Sequence, residues 1–435
     1  MRGSGARGRQ PIAYNRDMFG APTFPAAVEV AVVGRGPVGT AAALAIARLG
    51  RSVALIAPQQ AQPPAPAASS GPRSDDWDNR VFALSPATRA LLEPLGVWGA
   101  LEADRVAPVY EMQVHPASAI RTRVLRLSAF EAALPALAWI VESRVLTAAL
   151  ERALSFSAVR SVQGEVAALS NSPDGNTVRL ELTDGRSISA RLVVAADGAQ
   201  SPIRTLAGIE ASLREYPQRA LVANFNARKP HRDIAWQWFG EHGILALLPL
   251  PADTQSDWPG RCSIVWSAPH TLADELQQLE PAALADRVCQ ASGGALGELK
   301  LISPLASWPL RLGRVHTLIG NRLALIGDAA HVVHPLAGQG MNLGFGDVSD
   351  LIAALRDASD PGARLVLRRY ERSRAEPVMA MRLLTDGLQR LFDDTSIRQL
   401  GPLSMPITLA RDLGWQLVAG SSWLRRRLVD HAAHR

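Results

Sequence analysis

The sequence is poor in residues that would have marked it for several classes of protein. It has two cysteines, Cys262 and Cys289, in 435 residues. That is too few for a disulfide framework, and a reducing cytoplasm is the expected compartment. No apolar run approaches the roughly 18 residues of a membrane-spanning helix. The first 27 residues carry Arg2, Arg7, Arg9 and Arg16 but lack the apolar stretch of a secretory signal, so they read as a disordered tail. Lysine occurs only at Lys229 and Lys300, and the net charge of +6 therefore rests almost wholly on scattered arginines. A nucleic-acid footprint clusters its charge, so no nucleic-acid partner is expected. A mild attraction to anionic membrane surfaces is compatible with the balance.

What is present is a globular composition, 47% hydrophobic and 20% charged, long enough for two domains and a large core. Val28 to Val33 reads as a buried parallel strand. Gly34-Arg35-Gly36-Pro37-Val38-Gly39 follows, then an alanine-rich helix from Thr40 to Leu49 ending at Gly50, then a second strand, Ser52 to Ile56. Strand, GxGxxG turn, helix and strand in this order form a dinucleotide fingerprint. Gly34 allows the tight turn, Gly36 lets backbone approach a pyrophosphate, and Gly39 lets the helix lie close to the strand. The competing reading is a small-residue turn packed for steric reasons. The acid that usually closes the second strand on the ribose is missing: Ala57 stands there, followed by Pro58-Gln59-Gln60. Gln59, Gln60 or a backbone group is left to take that bond.

Two later segments repeat the theme. Arg191 to Ala196 is an apolar strand ending in Asp197-Gly198, with Ser201-Pro202 at a helix start; an ordinary strand-to-helix turn reads the same way. Arg322 to Ile326 is another short buried strand, followed by Gly327-Asp328, a loop with Pro335, Gly338, Gln339 and Gly340, and a helical pattern from Met341-Asn342 to Leu355. A glycine loop running into a helix start offers backbone N–H groups and a positive dipole end to an electron-rich ligand.

These three segments, in this order and over this length, resemble the single-component FAD-dependent aromatic hydroxylases of the para-hydroxybenzoate hydroxylase type, and within them the ubiquinone-biosynthesis hydroxylases. The resemblance runs from about residue 28 to about residue 390. It is carried by His334-Pro335-Leu336-Ala337-Gly338-Gln339-Gly340-Met341-Asn342-Leu343 with Asp347 after it, and by Asp78-Asn79-Arg80 through Ala83-Leu84-Ser85 to Leu95-Gly96-Val97-Trp98. Gly243 to Pro249 ahead of Ser263-Ile264-Val265-Trp266 adds a third match.

The resemblance implies an α/β fold. A Rossmann-like FAD-binding domain would come from 28–102, 139–205 and 308–390, and an inserted, mostly antiparallel substrate domain from 103–138 and 206–307. A flexible loop at 58–76 and C-terminal helices at 391–435 complete the plan. It implies that NADPH or NADH reduces FAD, which reacts with O2 to a flavin hydroperoxide that hydroxylates an electron-rich ring. The expected substrate is a polyprenylated phenol of ubiquinone synthesis. A soluble aromatic substrate and a non-catalytic flavin-holding scaffold are the alternatives.

Asp328 would bond the flavin ribitol, with helix capping as its plain alternative. Gly338, Gly340, Met341 and Asn342 would turn N–H groups to the pyrimidine edge, and Pro335, Gly338, Gln339 and Gly340 would flank the reacting edge. Asp197 and Gly198 would lie near the pyrophosphate, Asp197 acting through water. Arg80 would stand beside the flavin and Arg144 on the ribitol or a phosphate, unless each is a solvated surface arginine.

His331 and His334 sit in a loop without a third ligand, so no metal is expected. No general base can be picked out. Trp236, Trp238 and Phe239, with Trp266, are candidates for an apolar substrate wall or for core packing. Trp415, Leu417, Trp423, Leu424 and Leu428 beside Arg425-Arg426-Arg427 resemble an interfacial amphipathic segment, with a closing helix as the alternative.

Overall fold

The structure, a computed structural model, describes residues 26–58, 77–116, 124–240, 242–252, 256–332 and 339–392, the side chains of Gln339 and of 380–392 excepted. Gln59, Gln60, His334, Pro335, Gly338 and the Trp415–Leu428 segment lie outside the described residues.

The Ala27–Val33 strand is apolar on both faces, and it takes the centre of an eight-stranded sheet where both faces are covered. Parallel to it lie Ser187–Ala195 on one side and Val53–Ala57 on the other; Leu323–Leu325 and Arg160–Gln163 extend the parallel run. Val30 and Val32 point into a core made with the Pro37–Arg48, Ser143–Ser155 and Gln339–Leu355 helices. Ala31 and Val33 point the other way, beneath the Val166–Asn171 and Val178–Leu182 hairpin, and Val28 at the strand's start joins their cluster. Ala41, Ala42, Ala43 and Ala45 are all buried, and their small side chains keep the first helix close to the strands.

The second sheet has nine strands, antiparallel except where Ile234–Gly240 runs parallel to Glu111–His115. Its longest strand, Ala211–Ala227, pairs with Gly260–Pro269 and with Ala306–Val315. Leu221, Ala223, Phe225, Ile264 and Trp266 face the helices His270–Gln277 and Pro281–Ala291 in a separate core. The opposite face looks toward a third, smaller sheet, because Ala235, Leu248 and Leu250 pack with Trp77, Ala83 and Ile140.

A three-stranded sheet, Val81–Leu84, Ala138–Glu142 and Val106–Val109, sits between the two. The sheet assignments cut across a division at 103 and 308. Val106–Val109 belongs to this small sheet, and Ala306–Val315 stays in the nine-stranded one before the chain returns to the eight-stranded sheet at Ile319. Val106–Val109 carries the same alternating pattern as a substrate-sheet strand, so its pairing is a tertiary decision.

Candidate active site

Three turns meet at the carboxyl ends of the parallel strands, where open α/β sheets bind ligands. The first is the Gly34–Gly39 turn. Gly34 has φ of +112°, and a Cβ there would stand 2.2 Å from the Ala196 carbonyl oxygen. The fingerprint turn is therefore pressed onto the Asp197 turn. A Cβ on Gly39 would meet the Gly34 oxygen at 2.0 Å. At Gly36, the N-cap of the Pro37–Arg48 helix, a Cβ would meet nothing within 4 Å. Space is thus kept beside the one residue of the three that stands at a helix N-terminus. Arg35 is drawn off this space by a two-pronged contact with Glu151, which raises its guanidinium pKa further.

The second turn follows Ser187–Ala195. Both Asp197 carboxylate oxygens are used within it, one by the Ser201 hydroxyl and one by the Ile203 N–H at 2.9 Å. Burial raises the Asp197 carboxyl, and these hydrogen bonds oppose the shift. Ser201 caps the short Pro202–Leu206 helix, and Arg204 donates to the carbonyls of Ala199 and Ala329, both at 2.9 Å, tying this turn to the third. Gly198 has φ of +91° and open space where a Cβ would be.

The third turn is Gly327–Ala329. Asp328 is open to solvent, yet the protein around it is dense enough for lost hydration to raise its carboxyl, against the pull of Arg80 and His331. An acid both reachable and hemmed in stands in a recess. Gly327 donates its N–H to the buried Asp347 at 2.8 Å. Asp347 also meets His331 Nε2 at 2.8 Å and Arg374 Nε at 2.6 Å. Burial alone would raise the Asp347 carboxyl; His331 and Arg374 outweigh it and hold the group below the usual carboxylate range. Arg374 continues to Asp350 at 3.0 Å and to the Leu343 carbonyl at 3.0 Å.

The helix expected from Met341 begins two residues earlier, at Gln339. Its first turn leaves backbone N–H groups of Gln339, Gly340 and Met341 without intrahelical partners. Asn342, in contrast, has its side chain committed to the fold. It donates to the Ala83 carbonyl at 2.7 Å and accepts from Ser85 N–H at 2.9 Å and the Thr88 hydroxyl at 2.8 Å.

Arg80 and Arg144 are brought to the same region by Asp78, whose two oxygens accept their backbone N–H groups at 2.9 and 3.0 Å. Both side chains are exposed. Arg80 lies over the Phe82 ring at 5.2 Å, and Arg144 reaches Glu142 at 3.5 Å. Glu142 is fully buried between Arg105, Arg144 and the Asp78 N–H; burial raises its carboxyl and these partners pull it back.

Glu142 and Arg374 carried no sequence signal of their own, and Asp78 was marked only as part of the Asp78-Asn79-Arg80 element. Asp347 did: an acid four residues from both Leu343 and Leu351 lies on the buried helix face. The aromatic wall resolves toward core packing. Trp236, Trp238 and Trp266 pack into the helix-covered core, while Phe239 lies on the opposite face of its strand.

The family described as "FAD binding domain" matches residues 27–384. "Ubiquinone hydroxylase UbiL" of Rhodospirillum rubrum is 33% identical over 93% of this chain and 89% of its own length. "3-demethoxyubiquinol 3-hydroxylase" of Escherichia coli is 34% identical over 93% of this chain and 98% of its own. Among solved structures, p-nitrophenol 4-monooxygenase PnpA of Pseudomonas putida superposes with a TM-score of 0.68 at 17% identity, covering 94% of this chain and 98% of that one.

Proposed function

This chain belongs to the FAD-dependent aromatic hydroxylases of the ubiquinone-biosynthesis type, and from that premise we propose that its substrate is a polyprenylated phenol on the way to ubiquinone. It is a monooxygenase of the α/β, para-hydroxybenzoate hydroxylase fold, and FAD is its cofactor, with NADPH or NADH and O2 as co-substrates. The observation that carries the assignment to this site is the open space at Gly36, facing a helix N-terminus, at the same sheet end as the recessed Asp328 and the first-turn N–H groups of the Gln339 helix. This donor set suits FAD, which brings an anionic pyrophosphate, a hydroxyl-bearing ribitol and an acceptor-rich ring edge.

When bound, FAD supplies the redox and oxygen-activating chemistry. Gly34, Gly36 and Gly39 shape the pyrophosphate seat. Gly198 adds an open backbone beside it, and Asp197 holds that turn and reaches the anion only through water, since two anions in contact repel. Gly327 and Asp328 take the ribitol. Gly338, Gly340, Met341 and Asn342 offer backbone N–H groups to the ring edge that gains negative charge, which a helix N-terminus stabilises by about 0.3–1 kcal/mol, or ~2 when partly buried. Pro335 and Gln339 close the reacting edge against water. Arg80 offsets charge near the flavin, and Arg144 does so near the ribitol or phosphate. The purified protein is expected to be yellow, and to oxidise NADPH in the presence of a prenylated phenol and O2, with a product heavier by one oxygen. Colourless protein that takes up no FAD sinks the reading, and flavin-bound protein inert to every phenol leaves only the scaffold alternative.

A long-tailed phenol is drawn from a membrane or a lipid-carrying partner. No described helix is long and apolar enough to cross a membrane. In this reading a cytoplasmic enzyme docks peripherally at the inner membrane, or on a ubiquinone-synthesis complex, through the Trp- and Arg-bearing 411–435 segment. Deletion of 411–435 is expected to abolish binding to anionic liposomes in a flotation assay; undiminished flotation removes the idea.

A further inference from the structure

The face of the nine-stranded sheet turned toward the three-stranded sheet carries several buried polar side chains, Asn224, Ser263 and Ser267 among them, and one of them, Gln237, is a carboxamide set among apolar neighbours. Gln237 is 7% exposed and makes no side-chain hydrogen bond among the described residues. Its register partners are Ala246 on one neighbouring strand and Val114 on the other. Its same-face neighbours along and diagonal to the strand are Ala235, Phe239, Ile244 and Leu248. All six are apolar, so the amide has no acceptor or donor within the plane of the sheet. Phe239, Ile244, Ala246 and Val114 belong neither to the helix-covered core nor to the core shared with the three-stranded sheet. The Gln237 amide thus stands in an apolar wall beside the domain that carries the cofactor turns. The amide is largely but not wholly shut off from solvent, so a ligand can still reach it and supply the partner that the sheet does not.

We propose that Gln237 is a specificity-determining residue that hydrogen-bonds a ring oxygen of the aromatic substrate, an inference resting on the substrate class proposed above. A carboxamide suits this task, since its oxygen accepts from a phenol O–H and its nitrogen donates to an ether or carbonyl oxygen. The surrounding apolar residues would accept the ring and a prenyl chain but give no discrimination between a phenol and the corresponding hydrocarbon. A site built to bond a substrate hydroxyl rejects the analogue that lacks it, because the buried partner is left unpaired.

The test compares binding of a short-chain prenylphenol with that of its deoxygenated prenylbenzene counterpart, read from perturbation of the flavin spectrum of the holoenzyme. Wild type is expected to prefer the phenol by about tenfold or more, the worth of one buried hydrogen bond. Gln237→Leu is expected to bind both within about twofold, with normal FAD content. Gln237→Met, unbranched and of similar length, serves if the leucine disturbs the strand. A variant that keeps the wild-type preference overturns the inference while leaving the substrate class standing. A wild type that binds both equally also overturns it. If wild type binds neither compound, the substrate class itself falls and takes this inference with it.

Discussion

Gly36→Ala is expected to leave the protein folded and to remove most of its hold on FAD. Gly36 has φ of −70°, which alanine adopts freely, and its Cβ would meet nothing within 4 Å. Alanine is a poorer N-cap than glycine, a loss on the order of 0.5–1 kcal/mol. The cost to the fold is therefore small. The cost to the ligand is not, because the added methyl occupies the space at the start of the Pro37–Arg48 helix where a pyrophosphate would be held. Displacing one charge-assisted hydrogen bond there costs about 1.5–3 kcal/mol, or roughly 10- to 150-fold in Kd. Titration of deflavinated protein with FAD, alongside a thermal melt, separates the two effects. Wild-type FAD affinity in this variant would place the pyrophosphate elsewhere. Gly34→Ala is the contrasting control. A Cβ 2.2 Å from the Ala196 oxygen, on a residue with φ of +112°, forces the fingerprint turn off the Asp197 turn. That change is expected to cost the fold about 3 kcal/mol or more, before any ligand is considered.

Asp347→Ala is expected to be among the most damaging substitutions away from the ligand, at about 3–5 kcal/mol near neutral pH. The carboxylate is completely buried and serves Gly327 N–H, His331 and Arg374 together. Its removal leaves a buried guanidinium short of a partner and frees the Gly327 turn that presents Asp328. FAD content is expected to fall with stability. The pH dependence gives a sharper check through Asp347→Asn, which keeps shape and one acceptor. The folded-state pKa of Asp347 lies below the ordinary carboxylate value of about 3.9. The unfolded chain therefore binds the proton more readily. The stabilisation is fully present above the ordinary value and is lost as pH falls through the depressed one. Asp328, Asp197 and Glu142 have raised carboxyls and act in the opposite sense, their cost relieved as pH falls. The acid limb of wild type alone is thus a mixture. The difference between wild type and Asp347→Asn isolates the one group: it should be large near pH 7 and shrink below about 3.9. A gap constant with pH would show that the carboxylate charge is not what matters.

The parallel core was legible because its signal is local. Val28 to Val33, the Gly34 turn and the Ala41–Ala45 stretch specify a buried strand, a left-handed residue and a small-faced helix within 18 positions. The GD and DG turns were legible in the same way, as short apolar strands stopping at an acid. The substrate sheet was only half legible. Alternation in Ile234–Gly240 announced a strand, but a period of two does not say which face is turned to the ligand. The aromatic residues drew attention to Trp236 and Trp238, and the helices packed over that face made them core. The less conspicuous Gln237, between them in sequence, was left on the side of the cofactor turns.

The chain by itself determined where strands end and glycine turns begin, because backbone geometry at Gly34 and apolar runs before Asp197 and Asp328 are properties of neighbours in sequence. Tertiary structure alone decided that Asp347 would meet His331 and Arg374, that Asp78 would gather Arg80 and Arg144, and that Asn342 would bolt the Ser85 segment to the Gln339 helix. Apart from the local Asp78–Arg80 bond, those bonds join residues from 16 to 257 positions apart. Buried polar groups must find partners wherever the packing of distant elements brings them, and no local pattern encodes that choice.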